Sequence, residues 1–285
     1  MADHSSSGVL DAETAAPRPR RRKFSARTAR EQAIVIAFYV ALVVLWELAV
    51  RAELIAPYIL PAPSMFMAEL ADRWDLYLEH TIATTNSTLA GFALGSGVGF
   101  VLGLLIAYSR TMERIIYPAI IFTQTVPKLA LAPLFTVWFG VGALPKVLIT
   151  ALICLFPVLI NTVTGIKTVD PRLRQLMNSV SASKWQLFRM IELPTALPSI
   201  FAGLQVGVTL AVVGALVGEW VGADRGLGFL ILYDTSQLRT TGVFASLVCV
   251  TVMGIVLFLL VRWLEKLLLP HRPHAELESL SKSGM

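Results

Sequence analysis

Six stretches of this chain are apolar for about as long as a helix needs to cross a bilayer, and that constrains the fold more than anything else in the sequence. A hydrocarbon core of about 30 Å takes roughly 20 residues of helix. In lipid the backbone polar groups must be satisfied within the structure, as an α-helix does. The stretches cover residues 33–50, 81–108, 115–140, 144–166, 199–220 and 243–269. Composition agrees, with 55% hydrophobic and 15% charged residues against about 25% charged in a soluble domain. The fold class expected is all-α, a polytopic membrane protein with six transmembrane helices.

The polar remainder divides the chain. Residues 1–32 are rich in Ala, Ser and Pro and turn basic from Arg18 to Arg30, the composition of a disordered tail. The first apolar run exceeds the 7–15 residues of a secretory signal core and ends at Arg51, Glu53 and Pro57, so residues 33–53 read as an uncleaved first span. Residues 54–80 open with three prolines and continue with Glu69, Asp72, Arg73, Asp75 and Glu79. They predict an outer-face loop and an interfacial helix, with Ser64 as its N-cap. Residues 81–269 form the core with five spans, including a cytoplasmic loop over 167–198, and 270–285 form a short polar cytoplasmic tail. Residues 221–242 predict an outer loop that dips back toward the membrane.

Within the core, Gly91, Gly95, Gly99 and Gly103 recur every four residues. Small residues at that spacing let helices approach closely in a bilayer, which places the second span centrally. Lipid contact does not explain its polar start, Thr84 to Thr88. Pro118, Pro127 and Pro133 break the third span, and Pro157 and Asn161 interrupt the fourth. Proline removes a backbone donor, so these spans line a pathway or pack tightly against protein.

Basic residues set the orientation. Of 24 Lys and Arg, eighteen fall on one side: seven in the N-terminal tail, then Arg110 and Arg114, then Lys167, Arg172, Arg174, Lys184 and Arg189, then Arg262, Lys266, Arg272 and Lys282. Both termini and the 167–198 loop are therefore expected in the cytoplasm. Because the basic residues fall where topology requires them, they give no reason to expect a nucleic-acid partner.

Catalytic constellations are missing. The sequence has no G-x-x-x-x-G-K-[ST], H-E-x-x-H or C-x-x-C, and its four His, at positions 4, 80, 271 and 274, fall outside the apolar runs. Cys154 and Cys249 lie inside apolar runs without metal-ligand spacing. Neither an enzyme nor a metal site is expected. Intramembrane polar groups remain. Lys128 in the third span costs several kcal/mol unless it pairs, snorkels or meets water, and reads as a pathway cation or a structural ion pair. Glu219 is its candidate partner. Asn86, Gln124, Asn161, Gln205 and Thr209 are candidates for ligand contact or for hydrogen bonds between helices.

One loop stands apart. From Asn178 to Pro198 the residues Trp185, Leu187, Phe188 and Ile191 recur among Ser, Lys, Gln and Arg, which predicts a short amphipathic helix. Pro194 and Pro198 predict its end near Glu192. Such a helix docks on another protein or lies on the headgroups.

The sequence Ile191-Glu192-Leu193-Pro194, with Ser181 at a glycine position ten residues before Ile191, resembles the cytoplasmic loop of permease subunits of bacterial ATP-binding-cassette importers, E-A-A, three residues, Gly, nine residues, I-x-L-P. LPAPSMF, VPKLALAPLFTVWFGVGALPK and GEWVGADRGLGFLI are similar to the nitrate, sulfonate, taurine and thiamine-precursor branch, and the resemblance runs from about Leu60 to Pro270. It departs at Gln175, Leu176 and Met177, which stand where the family has Glu-Ala-Ala.

The resemblance implies a type I importer permease fold in the bacterial inner membrane. It also implies a coupling helix that contacts an ATPase through Ser181, Ala182, Ser183, Lys184, Trp185, Gln186, Leu187, Phe188, Arg189, Ile191, Leu193 and Pro194. Trp185, Leu187 and Phe188 would be the anchors, with Arg174, Lys184 and Arg189 supplementing the altered start. The partners implied are an ATPase dimer that binds ATP and Mg, a periplasmic or lipid-anchored binding protein, a second permease copy forming a homodimer, and membrane lipid; the chain itself holds no cofactor. The substrate expected is a small anion (a sulfonate, nitrate or an aromatic carboxylate) or a vitamin precursor. A secondary transporter, which often shows an internal repeat, and a non-transporting membrane scaffold are the alternatives.

Overall fold

A computed structural model describes residues 26–269. The basic tail expected up to residue 25 and the tail expected from residue 270 lie outside the described residues. Among them all regular structure is helical. The chain forms two units, residues up to Leu48 and residues from Ala49 onward.

The first unit is most of α1 (Ala26–Arg51), which begins inside the stretch read as tail. Its apolar side chains from Ile34 to Leu48 are mostly exposed, Leu45 by 65%, as suits a helix surrounded by lipid.

The second unit begins with α2 (Pro63–Asp72) and α3 (Trp74–Tyr108). Pro63, not a serine cap, starts α2: Ala62 is the N-cap and no side chain caps it. Proline at a first helical position is preset for the helix, and Ser64 instead lies 3.4 Å from an Arg51 nitrogen. α3 starts seven residues earlier than the predicted second span. Its 35 residues rise about 52 Å, well beyond a bilayer core of about 30 Å.

α4 (Arg110–Thr125), a 3-10 turn (Lys128–Leu131) and α5 (Ala132–Phe139) follow. They replace the third span expected as one helix. Pro118 is absorbed within α4, but Pro127 holds Val126 extended at ψ 126°, because proline excludes the helical region from the residue before it. Pro133 falls in the first turn of α5, where its missing N–H has no helical partner to lose. Among the described residues, five helical runs are long and apolar enough to cross a membrane.

α6 (Ala143–Lys167) runs through Pro157 without interruption. It is buried along most of its length between α3 and α9 (Leu193–Gly222). Glycines set those distances. A Cβ on Gly99 of α3 would stand 2.6 Å from the Leu155 carbonyl oxygen, and one on Gly214 of α9 2.8 Å from Thr150 Cα. At such approaches any larger side chain separates the helices. The central place read for the second span is thus shared by three helices, with α6 innermost.

Between α6 and α9 the chain forms α7 (Pro171–Ser179), α8 (Lys184–Leu187) and a π turn (Phe188–Glu192). The predicted stop near Glu192 does not occur, since Lys184 to Gly222 is one helical run. Pro194 would clash with the carbonyl four residues back in a regular helix. The wider π turn, closed by Leu193 N–H bonding the Phe188 carbonyl, lets the helix pass it. α10 (Leu227–Ser236) and α11 (Thr240–Leu268) complete the chain. α11 packs on α9 around Phe201, Val208, Val212, Met253 and Leu257.

Candidate functional site

Polar side chains gather at both ends of α9. At its start, α7 is capped by Asp170, whose carboxylate accepts from Arg172 N–H at 2.8 Å. The acid nearest the altered motif is therefore consumed locally. Ser181, at the motif's glycine position, has φ +55°, a region that favours glycine. Ser183 and Gln186 then close a capping box: Gln186 N–H to Ser183 Oγ is 3.2 Å and Ser183 N–H to Gln186 Oε1 is 2.7 Å.

That cap fixes which side chains face out. Lys184, Arg189 and Trp185 are exposed, Trp185 by 64%. Phe188 turns inward beside Ile166, Ala196 and Ile200 and meets Tyr108 edge-on at 6.4 Å. Ala182, Leu187, Ile191 and Leu193 are half-buried and Pro194 is exposed. Of the three expected anchors only Trp185 is therefore exposed; Leu173, Leu176, Val180 and Met190 are other exposed apolar residues of the same loop. Arg174, expected to supplement docking, points inward instead. Its Nε lies 3.0 Å from Glu192 Oε1, an ionic contact without the alignment of a hydrogen bond. Its terminal nitrogen donates to the Ile166 carbonyl at 2.9 Å. Tyr108 donates to Glu192 Oε2. A groove of about 800 Å³ runs beneath α8, lined by Leu104, Tyr108, Lys184, Trp185 and Phe188 among others.

At the far end of α9, Glu219 is 1% exposed. Its Oε2 accepts from Thr84 Oγ1 at 3.1 Å and from Gly228 N–H at 2.8 Å. Leu227 N–H donates to Thr84 Oγ1 at 2.7 Å, and Gly226 N–H to His80 Nδ1 at 2.9 Å. The first N–H groups of a helix have no partner inside it, and here α3 and α9 supply partners to α10. Gly226 has φ +125°, and a Cβ there would run into the Glu219 carboxyl. Lys128 is not the partner of Glu219; its ammonium lies 4.6 Å from the Phe156 ring centre. Lys146 of α6, a residue given no role in the sequence reading because it opens a span, is buried where α6 packs against Gly218, the neighbour of Glu219.

Nearby, Glu69 of α2 accepts from Arg239 at 2.7 Å and from Arg73 at 3.1 Å, and Arg239 lies 3.5 Å from Asp234. Burial pushes the Asp234 carboxyl above its usual range, against the pull of Arg239 and Arg73.

The other intramembrane candidates are dispersed. Asn86 and Thr209 are exposed, and Thr209 bonds its own helix at the Gln205 carbonyl. Asn161 donates to the Pro157 carbonyl at 2.8 Å. Gln205 donates to Glu265 of α11 at 2.6 Å, a bond between helices. The Gln124 side chain lies outside the described residues. Thr84, His80, Glu192 and Tyr108 were not among the predicted site residues, and Arg174 was expected only as a supplementary docking contact. The only sequence signals for them were the unexplained polar start of the second span and the acid inside Ile191–Pro194.

Residues 99–270 match the family described as binding-protein-dependent transport system inner membrane component. The formylaminopyrimidine transport permease protein ThiX of Halalkalibacterium halodurans is 38% identical over 236 residues, 82% of this chain and 94% of that protein. The riboflavin transport system permease protein RibX of Chloroflexus aurantiacus is 36% identical over 229 residues, 80% and 85% of the two chains. Among solved structures, the methionine transporter MetNI in inward-facing conformations superposes with a TM-score of 0.61 at 16% identity, over 68% of this chain and 96% of that one, a likeness of fold.

Proposed function

Given that the chain belongs to the family of binding-protein-dependent transport system inner membrane components, the permeases of ATP-binding-cassette importers, we propose that α8 is the point at which a separate cytoplasmic ATPase dimer drives it. The observation that carries this reading is Trp185, exposed by 64% on a short helix whose capping box fixes its face. An aromatic anchor with Lys184 and Arg189 beside it suits helix-in-groove docking. Leu176, Val180 and Met190 are further exposed apolar residues of the same loop. The ATPase dimer binds ATP and Mg, two copies of this chain form the pathway, and an external binding protein delivers the substrate at the α10 end. The positive-inside count supports cytoplasmic termini and a cytoplasmic α8.

The substrate class we favour is a heteroaromatic vitamin or vitamin precursor, supported by the names of the pyrimidine and riboflavin relatives. A small anion is the second reading, favoured by half-buried Lys128. Co-purification tests the docking assignment: Trp185→Asp should release the ATPase subunit and abolish uptake while membrane insertion persists. Normal uptake in that variant would sink it. Calorimetric titration of the binding protein with a formylaminopyrimidine, riboflavin and a sulfonate separates the substrate classes.

A further inference from the structure

α7 has no fully buried residue of its own, so apolar packing alone does not fix it to the spans. Its inward link is ionic. Arg174 reaches from α7 to Glu192, which is 2% exposed at the head of α9, and from there to the Ile166 carbonyl of α6. The second oxygen of the same carboxylate receives the Tyr108 hydroxyl at the end of α3. One buried carboxylate therefore joins α7, α9 and α3, and its guanidinium partner adds α6. The carboxylate is buried, and leaving it without its cation is costly, so these helices hold a fixed relation at that point. Arg174 stands directly before Gln175, where the family pattern has its leading acid.

We propose that Arg174 and Glu192 are positioning residues for energy coupling: they make the docking loop move as one body with α3, α6 and α9, so that displacement of α8 reaches the pathway. This rests on the reading of α8 as the ATPase dock.

The test uses the complete transporter, with its ATPase and binding protein, reconstituted in vesicles. Retention of the ATPase subunit, ATP hydrolysis and substrate taken up per ATP are measured for Arg174→Met, Glu192→Gln, Tyr108→Phe and the exchange Arg174→Glu with Glu192→Arg. Arg174→Met and Glu192→Gln should keep the ATPase bound and hydrolysing while uptake per ATP falls about tenfold, a coupling change of ordinary size. Tyr108→Phe should show a smaller loss, and the exchange should recover part of the coupling. A purely structural pair would lower the amount of folded complex and leave uptake per ATP unchanged. Unchanged uptake per ATP in both Arg174→Met and Tyr108→Phe overturns the proposal. If the wild-type chain itself retains no ATPase, the docking assignment fails, and this proposal with it.

Discussion

The hydroxyl of Thr84 on α3 lies 3.1 Å from the carboxylate of Glu219 on α9, 135 positions away in the sequence. Together they take up N–H groups at the start of α10. Glu219→Ala would strand the Gly228 N–H, at about 1–3 kcal/mol for a buried unsatisfied group, while the Thr84 hydroxyl would keep the His80 carbonyl at 3.1 Å. Thermal unfolding of the purified protein in detergent should show a clear drop in Tm. Glu219→Gln, which keeps an acceptor, should lose less.

The glycine faces of α3 differ sharply. A Cβ on Gly99 meets the Leu155 carbonyl, whereas one on Gly97 meets nothing within 4 Å. Gly99→Ala should destabilise by about 1–3 kcal/mol through overpacking. Gly97→Ala should be neutral or gain up to about 1 kcal/mol from helix propensity. Equal melting temperatures for the two variants would contradict the close α3–α6 approach.

Ser181 holds a positive φ of 55° at the position where the family pattern has glycine. Ser181→Gly should relieve strain and raise stability by about 0.5–1 kcal/mol, and a β-branched Ser181→Val should lower it. Both are read as Tm shifts, which must have opposite signs.

Trp185 and Phe188 lie 5.6 Å apart, ring to ring, yet face different surroundings. Phe188→Ala should lower stability by about 2–3 kcal/mol, somewhat below the range for a fully buried ring. Trp185→Ala should leave Tm unchanged and weaken ATPase retention. A double substitution of both residues would confuse docking with folding, so the single variants are the informative ones.

Apolar run length and glycine spacing were enough to locate α1, α6, α9, α11 and the central α3, because each depends on local composition. The I-x-L-P spacing picked out the loop that carries α7 and α8. Three features were not legible for physical reasons. Pro127 and Pro194 look alike in sequence, yet one breaks a span and the other passes through a π turn, a difference decided by backbone geometry at Val126 and Phe188. Phe188 and Trp185 share an amphipathic helix, but which of them faces inward depends on Tyr108 and Ile166, distant in the chain. The partner of Glu219 was sought among intramembrane cations. It proved to be a hydroxyl and a backbone amide, groups whose donor capacity no composition pattern advertises.

The π turn that carries the chain past Pro194 has a mechanical consequence. Lys184 to Gly222 is a single run of 39 residues, about 58 Å along its axis, with α8 at one end and the Glu219 clasp on α10 near the other. Over that length, a tilt of about 5° would displace the far end by about 5 Å. On the docking reading proposed above, displacement of α8 would reach the α10 clasp along this backbone, and the Arg174–Glu192 pair would tie α7, α3 and α6 to the same movement.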